Sequence, residues 1–336
     1  MKSVERISTE DCRLDDVITG DDPIIISGEA SDWPLVAEGL KSADAAMAYL
    51  LRFDQGRQVL RYYGAADIKG RFAYNDDLTG FNFTAEQMPL AEVFAEITSA
   101  MEQEKPGSCY IGSTDIASYL PGLLDNNGVD QSCAIYKNRD PMVSVWMGNR
   151  TVAAAHFDIS DNLVCNMVGH RRFTLFPPEQ IVNLYPGPIE RTPGGQVISL
   201  VDFRDPDSEK FPQAEEAMRH ALVAELGPGD MLYYPGMWWH QVEALDSFNV
   251  MINYWWDRGP DFQDSPDVTL WHALLSLRGR PQREKDAWKA IFDYYIFGEA
   301  AAATGHLPEE ALGPLGDLDQ GMARRLRANI LKRMNR

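Results

Sequence analysis

Residues 153–158 read AAAHFD and residues 235–245 read PGMWWHQVEAL, and the fold turns on how these two stretches meet. In an extended strand, residues i and i+2 share a face. His156 and Asp158 would therefore project to one side, with Phe157 packed on the other. One strand cannot surround an ion, so a third ligand must come from a distant strand. His240 closes the run MLYYPGMWWH, rich in β-formers and broken at Pro235-Gly236, which reads as strand, turn, strand. The tight turn GPGD, Gly227 to Asp230, stands just before it. An H-x-D pair alone arises often by chance; H-x-D with a downstream His behind a GPGD turn is far more specific. Two imidazoles and one carboxylate on one face of a metal, with positions left open, are the ligand set of non-haem Fe(II) oxygenase centres.

Strand signals flank both stretches. CYIGS, MVSVWMG, NLVCNMVG, RRFTLFPP, DMLYYP and NVMINYWW follow one another between 109 and 256, separated by Gly, Pro, Asn or Asp. Many short antiparallel strands punctuated in this way predict a mainly β double-sheet jelly roll, whose mouth can hold a metal. Upstream, Ile24 to Ile26 reads as a buried strand, 41–53 as a helix and 58–75 as strands. Residues 88–104 read as an amphipathic helix with Leu90, Val93, Phe94, Ile97 and Met101 in one stripe. Past Asp257 the composition changes: DRGPDFQDSP is a linker, and Ser265 with Pro266 predicts a capped helix start. Trp288, Ile291, Phe292 and Tyr295 form one helical stripe, and Met322, Leu326, Ile330 and Met334 another. The expected division is thus a catalytic domain over 1–260 and a helical region over 261–336. The apolar faces of that region either cover the barrel or pair with a second copy.

Composition narrows the class. The chain has 336 residues, 45% of them hydrophobic, and a formal net charge of −19. That charge argues against a nucleic-acid partner, which needs basic surface to displace counterions, and against an anionic membrane surface. The four cysteines, Cys12, Cys109, Cys133 and Cys165, form no C-x-x-C pair, which argues against a zinc finger and suits a reducing compartment. No stretch is long and apolar enough to span a bilayer, and the N-terminus shows no secretory h-region. A cytoplasmic enzyme is the expectation.

Taken together, HxD, then GxRR-x3-FPP, then GPGD-x7-WWH, then N-x-W resemble the JmjC/cupin-like Fe(II)- and 2-oxoglutarate-dependent hydroxylases over roughly residues 20–260. The likeness is strongest to the asparaginyl hydroxylases of the hypoxia response. The resemblance implies a double-stranded β-helix, iron, and 2-oxoglutarate and O₂ as co-substrates, with succinate and CO₂ as co-products. It also implies a C-terminal helical dimerisation element. Carried over residue by residue, His156, Asp158 and His240 match the iron ligands. Arg171 stands where the family places the basic residue that pairs with the far carboxylate of 2-oxoglutarate, and a guanidinium suits that bidentate task. Tyr110 matches a tyrosine that bonds the same carboxylate, while Asn162 and Asn253 match polar residues lining the site. Ala153 departs from the pattern, since the resemblance puts a threonine hydroxyl three residues before the first histidine.

Plainer readings stand beside these. Tyr110 is equally read as core, and Asn162 and Asn253 as satisfying buried backbone groups. Arg171 and Arg172 alternate on a strand, so one faces in if the other faces out. His220, His272 and His306 are expected at the surface. The function expected is hydroxylation of an unactivated C–H on a protein or peptide side chain. The alternatives are a hydroxylase of a small metabolite, a metal- or 2-oxoglutarate-binding module without turnover, and a different metal-dependent enzyme.

Overall fold

The computed structural model describes residues 1–10, 13–137 and 140–335, so Cys12 lies outside the described residues. The chain divides into two units, Met1–Arg258 and Gly259–Arg336. Among the described residues of the first unit, fifteen strands run in chain order: β1 Lys2–Ser3, β2 Glu5–Ser8, β3 Ile24–Ser27, β4 Gln58–Gly64, β5 Arg71–Phe72, β6 Thr84–Pro89, β7 Ser108–Asp115, β8 Met142–Gly148, β9 Val152–Phe157, β10 Asp161–Val168, β11 Arg171–Phe176, β12 Leu222–Leu226, β13 Met231–Tyr234, β14 Trp239–Ala244 and β15 Asn249–Trp256. They form a six-stranded sheet, ordered β1-β12-β11-β14-β9-β5, and a nine-stranded sheet, ordered β2-β3-β13-β10-β15-β8-β7-β4-β6.

From β8 to β15 the chain passes back and forth between the sheets: β8, β10, β13 and β15 lie in the large one, β9, β11, β12 and β14 in the small one. This is the double-stranded β-helix that the punctuated strand pattern predicts. Its interior draws side chains from both sheets, with Phe173, Leu175, Ala224 and Leu226 facing Val164, Leu232, Tyr234 and Met251. Both outer faces are covered as well. Helices Pro34–Lys41, Ala43–Leu51 and Leu90–Met101 lay Leu35, Leu50, Val93, Phe94 and Ile97 in one cluster with Ile111, Val145, Leu163 and Ile252 of the large sheet. Helix Ala214–His220 and the turn Pro178–Asn183 accompany Phe176 and Trp239 of the small sheet. Coverage on both faces explains why every residue of β10 is buried and why its sequence does not alternate. Each fully buried Leu, Ile or Phe adds about 1.5–3 kcal/mol, so the site is held in a rigid frame.

Several local expectations need correction. The helix read over 41–53 spans Ala43–Leu51, because Ser42, extended at φ −170, separates it from helix Pro34–Lys41 and its Oγ accepts from the Ala45 N–H. The serine caps a new helix rather than continuing an old one. The strands read over 58–75 are interrupted by a short 3₁₀ turn, Ala66–Ile68. The helix read over 88–104 spans Leu90–Met101, since Met88 and Pro89 belong to β6. Ser265 does sit before helix Pro266–Ser276, but its side chain makes no capping bond.

The second unit contains helices Pro266–Ser276, Gln282–Phe292 and Gln320–Met334. Among its described residues, only Ala303 and Ala323 are buried, while Leu275, Trp288, Ile296 and Phe297 are exposed. No described helix in the chain is long and apolar enough to cross a membrane. Cys109, Cys133 and Cys165 are buried free thiols.

Candidate metal centre

His156 near the end of β9 and His240 on the adjacent β14 are register partners, so their side chains leave one face of the small sheet together. Between the His240–His156 pair and the Val242–Ala153 pair, β14 advances two residues and β9 three. This bulge re-aims the end of β9 and sends Asp158 back beside the two imidazoles. One ligand atom from each of His156, Asp158 and His240 lies within 4.8 Å of the others, a spacing that small side-chain rotations close onto one ion. The His240 Nε2 to Asp158 Oδ2 separation is 3.6 Å, and the imidazole centroids are 4.2 Å apart. Among the described residues no other group of three such side chains comes this close.

The tautomers are set by the backbone. His156 Nδ1 lies 2.9 Å from Ala154 O and His240 Nδ1 3.0 Å from Trp238 O. A carbonyl only accepts, so each Nδ1 carries the proton and each Nε2 presents its lone pair. Burial, with the neighbouring His156 next, pushes the His240 imidazole down to about 4. The donor set is two imidazole nitrogens and a carboxylate, which fits a facially bound Fe(II) with open positions.

A further layer orients these ligands. Trp255 on β15 donates its indole N–H to Asp158 Oδ2 at 3.2 Å. The Asp158 carbonyl accepts from Met237 N–H at 2.7 Å, with Met237 held at φ +70. Gly236 N–H donates to Asp161 Oδ1 at 2.8 Å, and Asp161 pairs with Arg258. A Cβ at Gly236 would lie 2.2 Å from Ile159 O, so only glycine lets the loop before His240 lie flat on the chain after Asp158. The segment 187–199 reaches the same place. Ile198 bridges His156, and Ser199 N–H donates to Ala155 O.

The remaining candidates spread around the interior. Arg171 opens β11 and is buried, 3% exposed, whereas Arg172 is outside and pairs with Glu225. Arg171 Nη1 donates to Asn166 Oδ1 at 2.8 Å, and among the described residues no carboxylate pairs with it. Burial pushes this guanidinium down to about 10, with nearby Tyr110 acting the other way, so it stays cationic at neutral pH. Burial raises the Tyr110 phenol, and the Arg171 charge acts the other way. Asn253 Nδ2 donates to Asn162 Oδ1 at 3.0 Å, and Asn162 Nδ2 to Ser160 O at 2.9 Å. Asn253 Oδ1 is left buried without a partner, as is the Trp146 indole N–H. Trp146 stacks on Tyr110 and meets Trp255 edge-on, so one aromatic wall runs from Tyr110 to the Asp158 carboxylate. Ala153 is half-buried opposite Val242, and its methyl offers no hydrogen bond. His220, His272 and His306 are exposed.

Asn166, Asp161, Trp146 and Trp255 join the site without having been singled out by the motifs. Asn166 had a visible signal, a polar residue inside the apolar run LVCNMV.

Comparison with known proteins agrees with this geometry. The pattern that defines the cupin-like domain matches residues 10–262. The chain belongs to the cupin-like domain family. Among curated proteins it is similar to HSPB1-associated protein 1 of Homo sapiens, 39% identical over 152 residues, covering 43% of this chain and 30% of that protein. It is also similar to JmjC domain-containing protein F of Dictyostelium discoideum, 29% identical over 169 residues, covering 44% and 35%. A third relative is tRNA wybutosine-synthesizing protein 5 of Danio rerio, 28% identical over 224 residues, covering 58% and 63%. The matches span less than two thirds of each of these relatives.

Proposed function

We propose that this cupin-like chain is an Fe(II)- and 2-oxoglutarate-dependent dioxygenase that hydroxylates an unactivated C–H, on a protein or peptide side chain. The observation that carries the reading is the pairing of two features in one interior. Three metal-ligating atoms converge with both Nε2 lone pairs free, and a buried arginine lacks a carboxylate. An uncompensated buried cation is costly unless a ligand neutralises it, and a dicarboxylic keto acid brings both a metal chelate and that counter-charge.

In this reading His156, Asp158 and His240 hold the iron. Bound iron supplies O₂ activation and C–H oxidation, coupled to conversion of 2-oxoglutarate to succinate and CO₂. Arg171 and Tyr110 hold the far carboxylate. Asn162 and Asn253 line the chelate, and the wall of Trp146 and Trp255 keeps water from the reacting centre. With Ala153 in place of a threonine, the co-substrate relies more heavily on the Arg171 charge. The resemblance to the JmjC/cupin-like hydroxylases favours a peptide side chain as substrate. The net charge of −19 favours a basic peptide over a nucleic acid. Buried, unpaired cysteines suit a cytoplasmic setting. The second unit, with large apolar side chains exposed and almost none buried, supports homodimerisation through its helices. A monomer by light scattering would count against that arrangement.

Anaerobic addition of Fe(II) and then 2-oxoglutarate is the test of the activity reading. We expect the weak visible charge-transfer band of a chelated keto acid, absent in His156→Ala, and succinate formation once air is admitted. Iron-loaded, folded protein that shows neither is a binding module.

A further inference from the structure

We propose that Asn166 is a positioning residue that aims Arg171 at the far carboxylate of the keto acid without neutralising it; this rests on the reading of Arg171 given above. Asn166 lies in the middle of β10, fully buried, on the same strand face as Asn162. Its amide has one possible orientation. Nδ2 faces the carbonyl of Gly169 at 2.8 Å, which can only accept, so Oδ1 is left to receive the Arg171 Nη1–H at 2.8 Å. The backbone of Asn166 is pinned too: its N–H donates to Asp230 O at 2.9 Å and its C=O accepts from Gly229 N–H at 2.8 Å. Gly169, at φ +73, allows the chain to turn from β10 into β11 so that Asn166 and Arg171 meet five residues apart.

The choice of an amide is the informative part. An arginine side chain carries large rotamer freedom, and a buried one needs an acceptor to fix its plane. A carboxylate would be the stronger acceptor, but it would satisfy the charge internally. Asparagine has nearly the same shape and holds the guanidinium while leaving its positive charge for a ligand. Asn166→Asp therefore changes the charge with little change in volume.

The experiment is calorimetric binding to the full chain loaded with Mn(II), a redox-silent stand-in for iron. The probes are 2-oxoglutarate, its far-end amide 2-oxoglutaramate, and the one-carbon-longer 2-oxoadipate. The unaltered protein should prefer 2-oxoglutarate to the amide by about 10–100-fold, the scale of a charge-assisted contact. In Asn166→Asp that preference should collapse to near unity. A folded Asn166→Asp protein that keeps the full preference overturns the proposal. Asn166→Ala gives a second reading should the first variant not fold. It leaves the charge but frees the guanidinium, so the carboxylate preference should persist while discrimination against 2-oxoadipate weakens, and unchanged discrimination there overturns the proposal. Arg171→Ala separates the two levels. If it retains the carboxylate preference, the reading of Arg171 itself fails. If it loses the preference while both Asn166 variants behave as the parent protein, only the positioning role fails.

Discussion

At one end of the barrel interior, two imidazoles and a carboxylate are held by backbone carbonyls and an indole. At the other, a single guanidinium is held by one neutral amide. The metal end is arranged around imidazole lone pairs and a carboxylate that already accepts from an indole N–H. The anion end is arranged around a charge that costs several kcal/mol to leave bare. Removing groups from the two ends should therefore have different effects on the unliganded protein, and this is the sharpest way to test whether they differ in kind.

The largest effect is expected at the metal end. His156→Ala removes one of three ligands and should lower metal affinity by more than the roughly 10–100-fold typical of losing an outer-shell partner. The unliganded melting temperature should scarcely move, since His156 is only half-buried. Titration with Mn(II) and a thermal melt would show both; a variant that binds metal as the parent does would dissolve the centre. Arg171→Ala comes next. It should cost about 2–5 kcal/mol of 2-oxoglutarate binding while leaving metal affinity intact. It should also raise the unliganded stability, because an uncompensated buried charge is gone. A lower melting temperature would mean that Arg171 is structural cement and the two ends are alike.

Trp255→Phe probes the link between ligand and wall. The ring is kept and only the N–H to Asp158 is lost. A hydrogen bond to a charged group contributes about 1.5–3 kcal/mol, so metal affinity should fall by roughly tenfold or somewhat more. Keto-acid affinity in metal-saturated protein should change far less. Equal losses in both would show that Trp255 acts by shaping the pocket rather than by orienting the carboxylate.

What could be read in advance follows the same division. The ligand end was legible because its information is local: i and i+2 on one strand, and a histidine behind a GPGD turn. The strands were legible because Gly, Pro, Asn and Asp punctuate them. Alternation said only that Arg171 and Arg172 take opposite sides and the resemblance chose Arg171, and the structure buries Arg171 and leaves Arg172 outside. Trp255 was not legible as a partner of Asp158, because the two are 97 residues apart and meet only when β15 lies beside β10. Asn166 was visible as a polar residue in an apolar run, but its partner depends on the turn at Gly169.

The smallest effect belongs to Arg172→Ala, and it is the control that gives the Arg171 result its meaning. Arg172 is the next residue on the same strand, carries the same charge, and makes a bonded pair with Glu225 at 2.8 Å. Both partners are well exposed, so water and salt screen the pair and its loss should cost no more than about 1 kcal/mol. Keto-acid affinity should be unchanged. The two arginines differ only in which side of a pleated strand they occupy, so binding that fell equally in both variants would point to a diffuse electrostatic attraction of the anion. Binding that falls only for Arg171 locates the recognition inside the barrel, where burial has removed every competing counter-charge.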